Sequence, residues 1–444
     1  MSYIKNRETL LSHGDTALRQ AALDILDAGI RRADPYLAAK DMIRLDGDLL
    51  TVGSDVFDLR ERGRIFVLGA GKATYPIARA LEEILGERID AGVVICKYGQ
   101  TGELRHCRLH FANHPIPDEN GYEAAKEIME LARSTREGDI VLACITGGST
   151  SLMPYPPEGV TIEEKQQVYK ALLRSGANVV EMNWVRKHLT RSKGGWLAKT
   201  IHPQATLINL TVSDVIGDPL DCITCPTVPD SSTFDDARGV LDKYGLWDKL
   251  PESVTTYLRT GGPENETPKD LSDHHIISHI IVPGDAACLG ALEKAKELGF
   301  SSVILSTMLE GESREMAAAF VAIGKEILIN GRPMKAPCAV IGGGEATMKI
   351  DIPEPGEGGP SQQFAAAAAT WIGDLEGIVV AGIDTDGVDG ASSMAGGMAD
   401  ASTARRAAEM GIDLFAHMAA FSDGAAMQAL GDAIYTGATG TNVN

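Results

Sequence analysis

No apolar run in this chain approaches the roughly 18 residues that a membrane-spanning helix needs. A helical membrane protein is therefore excluded, and no membrane partner is expected. Positive charge is also scarce. Forty-one Lys and Arg face 61 Asp and Glu, a formal net charge of −20. A surface of that sign repels phosphate backbones, which excludes nucleic acid as the main partner. The seven cysteines are odd in number and scattered, at 96, 107, 144, 222, 225, 288 and 338. They follow a first segment, Met-Ser-Tyr-Ile-Lys-Asn-Arg-Glu, that has no apolar core of a secretory leader. That pattern argues against a disulfide framework and for reduced thiols in the cytoplasm. Cys222-Ile-Thr-Cys225 is a CxxC, but a structural zinc site would want a second such pair. Core packing and redox chemistry both remain open for it.

What is present points to a folded α/β protein. At 444 residues the chain exceeds one ordinary core. Apolar residues make up 44%, ample for burial. The 48 glycines fall between strand-like and helix-like runs, as tight βα and αβ turns require. Helical spacing of Leu18, Ala22, Ile25 and Leu26, with Asp15 as N-cap, predicts a helix over 16–31. Apolar strands are predicted at 64–70, 91–96, 109–112, 140–145 and 205–212, with helices to Leu85 and near 161–181. Residues 261–269 are polar and turn-rich, and the rhythm restarts beyond them. Strands are then predicted at 276–282, 303–305, 339–341, 348–352 and 378–381, and helices at 287–298 and 314–329. The reading is two Rossmann-like α/β domains with mostly parallel sheets, divided as 1–265 and 266–444.

In such sheets ligands sit beyond the carboxyl ends of the strands. Gly69-Ala-Gly-Lys72 follows the first strand. It is neither a dinucleotide fingerprint, because Thr74 occupies the third glycine position, nor a P-loop, because Phe66 occupies the first. It leaves a lysine beside two glycines at a helix start, either an anion contact or a surface lysine. Thr146-Gly-Gly-Ser-Thr-Ser151 stacks hydroxyls and backbone N–H groups at another strand end, as a phosphate cradle or a plain tight turn. Asp214, in Ser213-Asp-Val-Ile-Gly-Asp218, follows a further strand, where a carboxylate can bind Mg²⁺, take a hydroxyl proton or simply cap a turn. Thr385-Asp-Gly-Val-Asp-Gly390 repeats that arrangement with Asp384, Asp386 and Asp389. His106, His110 and His114 share a face if extended, without a clear fourth zinc ligand. His275 and His279 could pair on a helical turn, but HExxH is absent.

The most informative stretch is Asn183-Trp-Val-Arg-Lys-His-Leu-Thr-Arg-Ser-Lys-Gly-Gly195. Arg186, Lys187, Arg191 and Lys193 crowd into eight residues of an acidic chain, with His188 among them. Like charges held together repel unless an anion sits among them. A solvated helix face paired with Glu is the competing account.

Taken in order, these segments resemble the glycerate 2-kinase family with its C-terminal MOFRL domain, some of whose members carry the label hydroxypyruvate reductase. The likeness runs over nearly the whole chain. It rests on Gly69–Ala73, His114-Pro-Ile-Pro-Asp118, Asn183–Gly195, Ser213–Asp218, Pro226-Thr-Val-Pro-Asp230, Glu266-Thr-Pro268, Gly342-Gly-Gly-Glu345, Thr385–Gly390 and Thr436–Asn444. The resemblance implies ATP- and Mg²⁺-dependent phosphorylation of the 2-hydroxyl of a small hydroxy acid, typically D-glycerate to 2-phosphoglycerate, in a cleft between two α/β domains. It implies Lys72 and Asp214 as catalytic residues. It implies substrate or nucleotide contacts from Gly71, His114, Gly147, Gly148, Ser149, Asn183, Arg186, Lys187, Arg191, Lys193, Glu345, Asp386 and Asn442, and metal contacts from Asp214, Asp386 and Asp389. The expected partners are a nucleotide and a small hydroxy acid, in a monomer or homodimer.

Three departures bear on the substrate. Gly358-Gly-Pro-Ser-Gln-Gln363 stands where relatives usually read Gly-Gly-Arg-Asn-Gln-Glu. Thr224-Cys225 replaces Ser-Gly, and Thr146–Ser151 replaces Ser-Gly-Gly-Gly-Ser-Ala. The alternatives are a kinase for a different sugar acid, an NAD(P)H-dependent hydroxypyruvate reductase, or a non-catalytic anion-binding regulator.

Overall fold

The computed structural model describes residues 2–443, so Asn444 of the last motif lies outside the described residues. The chain forms two compact units. One comprises Pro35–Ser213 and Asp218–Val282; the other comprises the described residues of Met1–Asp34, Asp214–Gly217 and Pro283–Asn444.

In the first unit, β1 (Ile43–Asp46), β2 (Leu49–Val52) and β3 (Asp55–Asp58) form an antiparallel ribbon. The main sheet holds β4 (Ile65–Ala70), β5 (Ala91–Lys97), β6 (Cys107–Ala112), β7 (Ile140–Ile145), β8 (Thr206–Val212) and β9 (His275–Val282). Its order is β6-β5-β4-β7-β8-β9, and every pair is parallel. β4, β7 and β8 are buried at every residue, as expected for central strands covered by helices on both faces. Leu68, Ile95, Val141 and Ile145 share one core with Ile128 and Met129 of the helix Glu119–Ser134. Burying each such side chain contributes about 1.5–3 kcal/mol. From β4 the order runs one way through β5 and β6, and from β7 the other way through β8 and β9. The carboxyl ends of β4 and β7 therefore flank the topological switch point, where a crevice opens in sheets of this kind.

In the second unit, β10 (Ser301–Glu312) and β11 (Cys338–Thr347) pair in parallel. β12 (Val379–Ile383), β13 (Gly396–Asp400) and β14 (Ala433–Ile434) form an antiparallel sheet, contrary to the parallel arrangement expected for this half. The helix Pro360–Ile372 packs on it through Ala365–Ala369, whose small side chains permit close approach. A Cβ at Gly397 would stand 2.9 Å from that of Ala365.

The units depart from the expected boundary at 265/266 in three places, the shortest being Asp214–Gly217, which belongs with the second unit. Residues 275–282 do not open the second unit. They complete the first sheet at its β8 edge, in register from Thr206↔His275 to Val212↔Val282. The N-terminal helix Thr16–Arg32, capped by Asp15 as predicted, belongs with the second unit. Its Arg19 is fully buried and donates to Asp400 at 2.6 Å and Asp432 at 2.8 Å. Two local expectations also fail. The predicted helix near 161–181 is broken at Gly176, which takes φ +80 between Ile162–Ser175 and Val179–His188. The predicted strand at 348–352 is not formed, and β11 ends at Thr347.

Candidate functional site

The two glycine turns meet at the switch point. Gly71, just past β4, takes φ +148, and a Cβ there would lie 2.0 Å from Thr146 Oγ1. Only glycine lets the β4 turn lie this close to the β7 turn. The turns are stitched by Thr146 N to Ala70 O (3.1 Å), Lys72 N to Gly147 O (2.8 Å) and Ala73 N to Thr146 Oγ1 (3.1 Å). Gly148 is left-handed, φ +85, and a Cβ there would fall 3.2 Å from both Lys72 Cγ and His114 Cδ2. Lys72, His114, Gly147 and Gly148 are thereby brought together. Thr74, at the third fingerprint position, turns its hydroxyl onto Cys144 O (2.8 Å), and its methyl fills the space beside Gly69.

The cationic stretch divides into two sets. Lys187 is ion-paired at 2.9 Å with buried Asp230, which also accepts from Ser232 and Thr267. His188 bonds Glu266 (2.7 Å), and Arg191 bonds Asn265 (2.7 Å) while lying over Trp196. Asn183 stands one turn before Lys187 on the same helix, partly buried.

Lys193 and Arg186 behave differently. Lys193 is 2% exposed and donates to Ser149 Oγ at 3.1 Å and to the Thr150 hydroxyl. Burial pushes its ammonium down to about 8, against an opposing pull from Cys225. Arg186 lies 4.5 Å over the Tyr169 ring, whose hydroxyl donates to Thr150 O, and its buried Nε has no acceptor. A third cation, Lys165, escaped the sequence reading. It is 1% exposed and donates to Leu189 O at 2.6 Å. Burial first, then the charges of Lys193 and Arg186, push it well below the usual lysine range. The signal was its place on the apolar stripe Ile162, Lys165, Val168, Leu172. Among the described residues none of these three cations pairs with a carboxylate.

The second unit gathers the acidic turns. Asp214 Oδ2 accepts from Asn442 Nδ2 at 2.7 Å. Asp386 and Asp384 accept backbone N–H groups within their own turn. Thr439 and Val443 of the C-terminal segment bond Thr385 in that turn. Asp389, expected as a metal ligand, spends both carboxylate oxygens on the first turn of the helix Pro360–Ile372, at 3.0 Å to Ser361 N and 2.7 Å to Gln362 N. Burial pushes Asp389 up to about 6, with buried Asp423 adding to the rise. Glu345 lies exposed on β11, opposite Glu310.

The departures at 360–363 now have a physical setting. Pro360 occupies the first position of its helix, where its missing N–H costs nothing. Gln363 donates to Asp423 at 3.4 Å, where a glutamate would add a second buried negative charge.

Among the described residues neither His106, His110 and His114 nor His275 and His279 belong to a group able to hold a metal ion. His279 sits on β9, not on a helix, with its Nε2 3.3 Å from Asp55 Oδ2. Among the described residues no group of three or more His, Cys, Asp or Glu could hold a metal ion. Carboxylates in ones and twos suit Mg²⁺, which keeps its waters and takes further oxygens from nucleotide phosphates.

A parallel sheet with paired glycine turns at its switch point, beside buried Lys165 and Lys193 that have no carboxylate partner among the described residues, defines an α/β protein of the doubly wound class. Residues 21–259 match a family model described as a domain of unknown function (DUF4147), and residues 338–444 match the MOFRL family. A glycerate 2-kinase of Pyrococcus horikoshii is 38% identical over 431 residues, 96% of each chain. A D-glycerate 2-kinase of Thermotoga maritima is 38% identical over 96% of this chain and 97% of its own. A crystal structure of glycerate kinase from Thermotoga maritima superposes with a TM-score of 0.83 at 37% identity, covering 96% of this chain and 98% of that one. The chain belongs to the glycerate 2-kinase family, in the form that carries a C-terminal MOFRL domain.

Proposed function

We propose that this chain phosphorylates the 2-hydroxyl of D-glycerate with ATP and Mg²⁺, giving 2-phosphoglycerate and ADP. The observation that carries the reading is the meeting of Lys72 and His114 with the Gly147-Gly148 turn, beside Lys193 and Arg186, which have no carboxylate partner among the described residues. Identity of 38% over nearly the full length of relatives named glycerate 2-kinase supports the choice of substrate.

Phosphoryl transfer asks the protein for positioning and charge neutralisation more than for covalent work. Lys72 and the backbone N–H groups of the glycine turns would hold phosphate oxygens. Lys193 and Arg186 would neutralise a second anionic group, the acid's carboxylate or a further phosphate. Asp214 accepts the hydroxyl proton as the substrate oxygen bonds to the γ-phosphorus and the bond to the ADP oxygen breaks. Asp214 and Asp386 would hold Mg²⁺, which would supply neutralising charge to the phosphates. Seven free cysteines suit a cytoplasmic enzyme, working as a monomer or homodimer.

The test couples ADP release to a panel of glycerate, tartrate and four-carbon sugar acids with Mg²⁺. Turnover with D-glycerate as the preferred acid is expected. No ADP from intact, folded protein with any of them sinks the proposal. NAD(P)H oxidation with hydroxypyruvate would replace it with the reductase reading.

A further inference from the structure

We infer that Asn442 is a positioning residue for Asp214, and that the C-terminal segment is thereby part of the catalytic apparatus. The inference rests on the proton-accepting role proposed above for Asp214. An aspartate has two side-chain torsions, so an unheld carboxylate samples several orientations. Asn442 Nδ2 donates to Asp214 Oδ2 across 2.7 Å, the short distance of a charge-assisted bond. Asn442 is itself only 7% exposed, so it has little freedom to leave.

The segment around Asn442 is built for register. Here the residues on either side of Asn442 are both tied. Thr441 donates its hydroxyl to Ala33 O, just past the helix Thr16–Arg32. Val443 N donates to Thr385 Oγ1 at 3.0 Å, and the same hydroxyl donates to Val443 O at 2.5 Å. Thr439 adds a third tie, its hydroxyl donating to Thr385 O at 2.6 Å. A slip of one residue would carry the Asn442 amide roughly 3.3 Å away and break the bond to Asp214. Anchors this dense fix one amide against one carboxylate. They also lock it to the Asp384–Gly390 turn, which carries Asp386.

The alternative is that Asn442 only fastens the tail. A double-mutant cycle separates the two roles, because a residue acting through Asp214 loses its effect once Asp214 is changed. Full-length wild type, Asn442→Ala, Asp214→Asn and the double variant are assayed for ADP release with D-glycerate and Mg-ATP. Asn442→Ala is expected to lower kcat roughly ten- to a hundredfold, the value of one hydrogen bond to a charged group. KM for ATP should stay within about twofold. In the Asp214→Asn background the same change should leave kcat where it was. If Asn442→Ala does not fold, the isosteric Asn442→Asp replaces donor by acceptor and carries the same expectation. Active wild type with losses that multiply, or an unchanged kcat in Asn442→Ala, overturns the inference alone. A wild type silent on every acid overturns the functional reading, and this inference falls with it.

Discussion

Lys193 donates to Ser149 Oγ at 3.1 Å from a buried position, so the last cation of the 186–193 cluster is tied to the turn that follows β7. Burial holds its ammonium down to about 8, which makes its charge sensitive to mildly alkaline solution. If that charge helps hold the anionic substrate, kcat/KM should fall as pH rises through about 8. Lys193→Arg keeps a charge that cannot be lost in this range. In that variant the alkaline limb should move up by at least one pH unit, whatever the change in absolute rate. A limb left at the wild-type position would remove Lys193 from the pH dependence. Stability has its own sign. The unfolded chain binds the Lys193 proton more tightly, so this residue makes stability rise with pH between about 8 and the ordinary lysine value. Lys193→Met should lack that rise in urea denaturation curves.

Lys187, six residues earlier on the helix Val179–His188, is fixed by a different logic. Its partner Asp230 is fully buried and accepts from three further donors, Ser232 N, Ser232 Oγ and Thr267 Oγ1. Burial pushes the Asp230 carboxyl up, and Lys187 with the Ser232 donors outweighs it and holds it low. Removing one partner strands the other charge, so Asp230→Ala should cost about 3–5 kcal/mol in urea unfolding. Replacing both, as Lys187→Met with Asp230→Leu, should recover part of that loss. Equal losses in the single and double variants would mean the ion pair is not what holds this region.

These two lysines show where sequence reading stops. Crowding of basic residues was visible in 183–195, but their division was not, because Asp230, Glu266 and Asn265 arrive from 35 or more residues away. The central strands were legible because burial on both faces leaves unbroken apolar runs. Ile140–Ile145 was placed to the residue. Strand β9 was found, yet assigned to the wrong half, since periodicity says nothing about which sheet edge a strand joins. The capture of the N-terminal helix by the second unit depends on Arg19 reaching Asp400 and Asp432, far along the chain. No local pattern encodes that contact.

Gly71 offers a sharper test of the cradle. A Cβ there would stand 2.0 Å from Thr146 Oγ1 and 2.8 Å from Thr146 O, and φ is +148. Gly71→Ala must force the β4 and β7 turns apart and shift the Lys72 N to Gly147 O bond. Small displacements of a positioning group cost roughly a hundredfold in rate, and kcat/KM should fall by at least that much. Gly86 is the control. It also takes a positive φ, but nothing lies within 4 Å of its Cβ position. Gly86→Ala should cost about 1 kcal/mol of stability and leave turnover unchanged. Similar activity loss in both would show that backbone strain, not the contact with Thr146, governs the effect.

Asp423 carries the last prediction. It is fully buried, and burial pushes its carboxyl up to about 6. Gln363 gives it one long bond of 3.4 Å, its Oδ1 has no donor, and Gln362 Oε1 nearby lacks one too. The folded protein therefore holds the Asp423 proton more tightly than the unfolded chain does. That contribution to stability is full below about pH 4 and is lost as pH rises through about 6. Above that range a buried charge remains, short of donors. Asp423→Asn removes the charge and adds N–H groups of the kind these oxygens lack. Against wild type, its relative stability should improve by about 3 kcal/mol between pH 4 and pH 7, the value of two pH units of linkage. The comparison must be made as a difference between the two proteins. Asp400, held low by Arg19, and Asp432, held low by His13 and then Arg19, both despite their burial, titrate with the opposite sign in both proteins. Denaturation curves that stay parallel from pH 4 to 7 would mean that Asp423 is ionised, and satisfied, throughout.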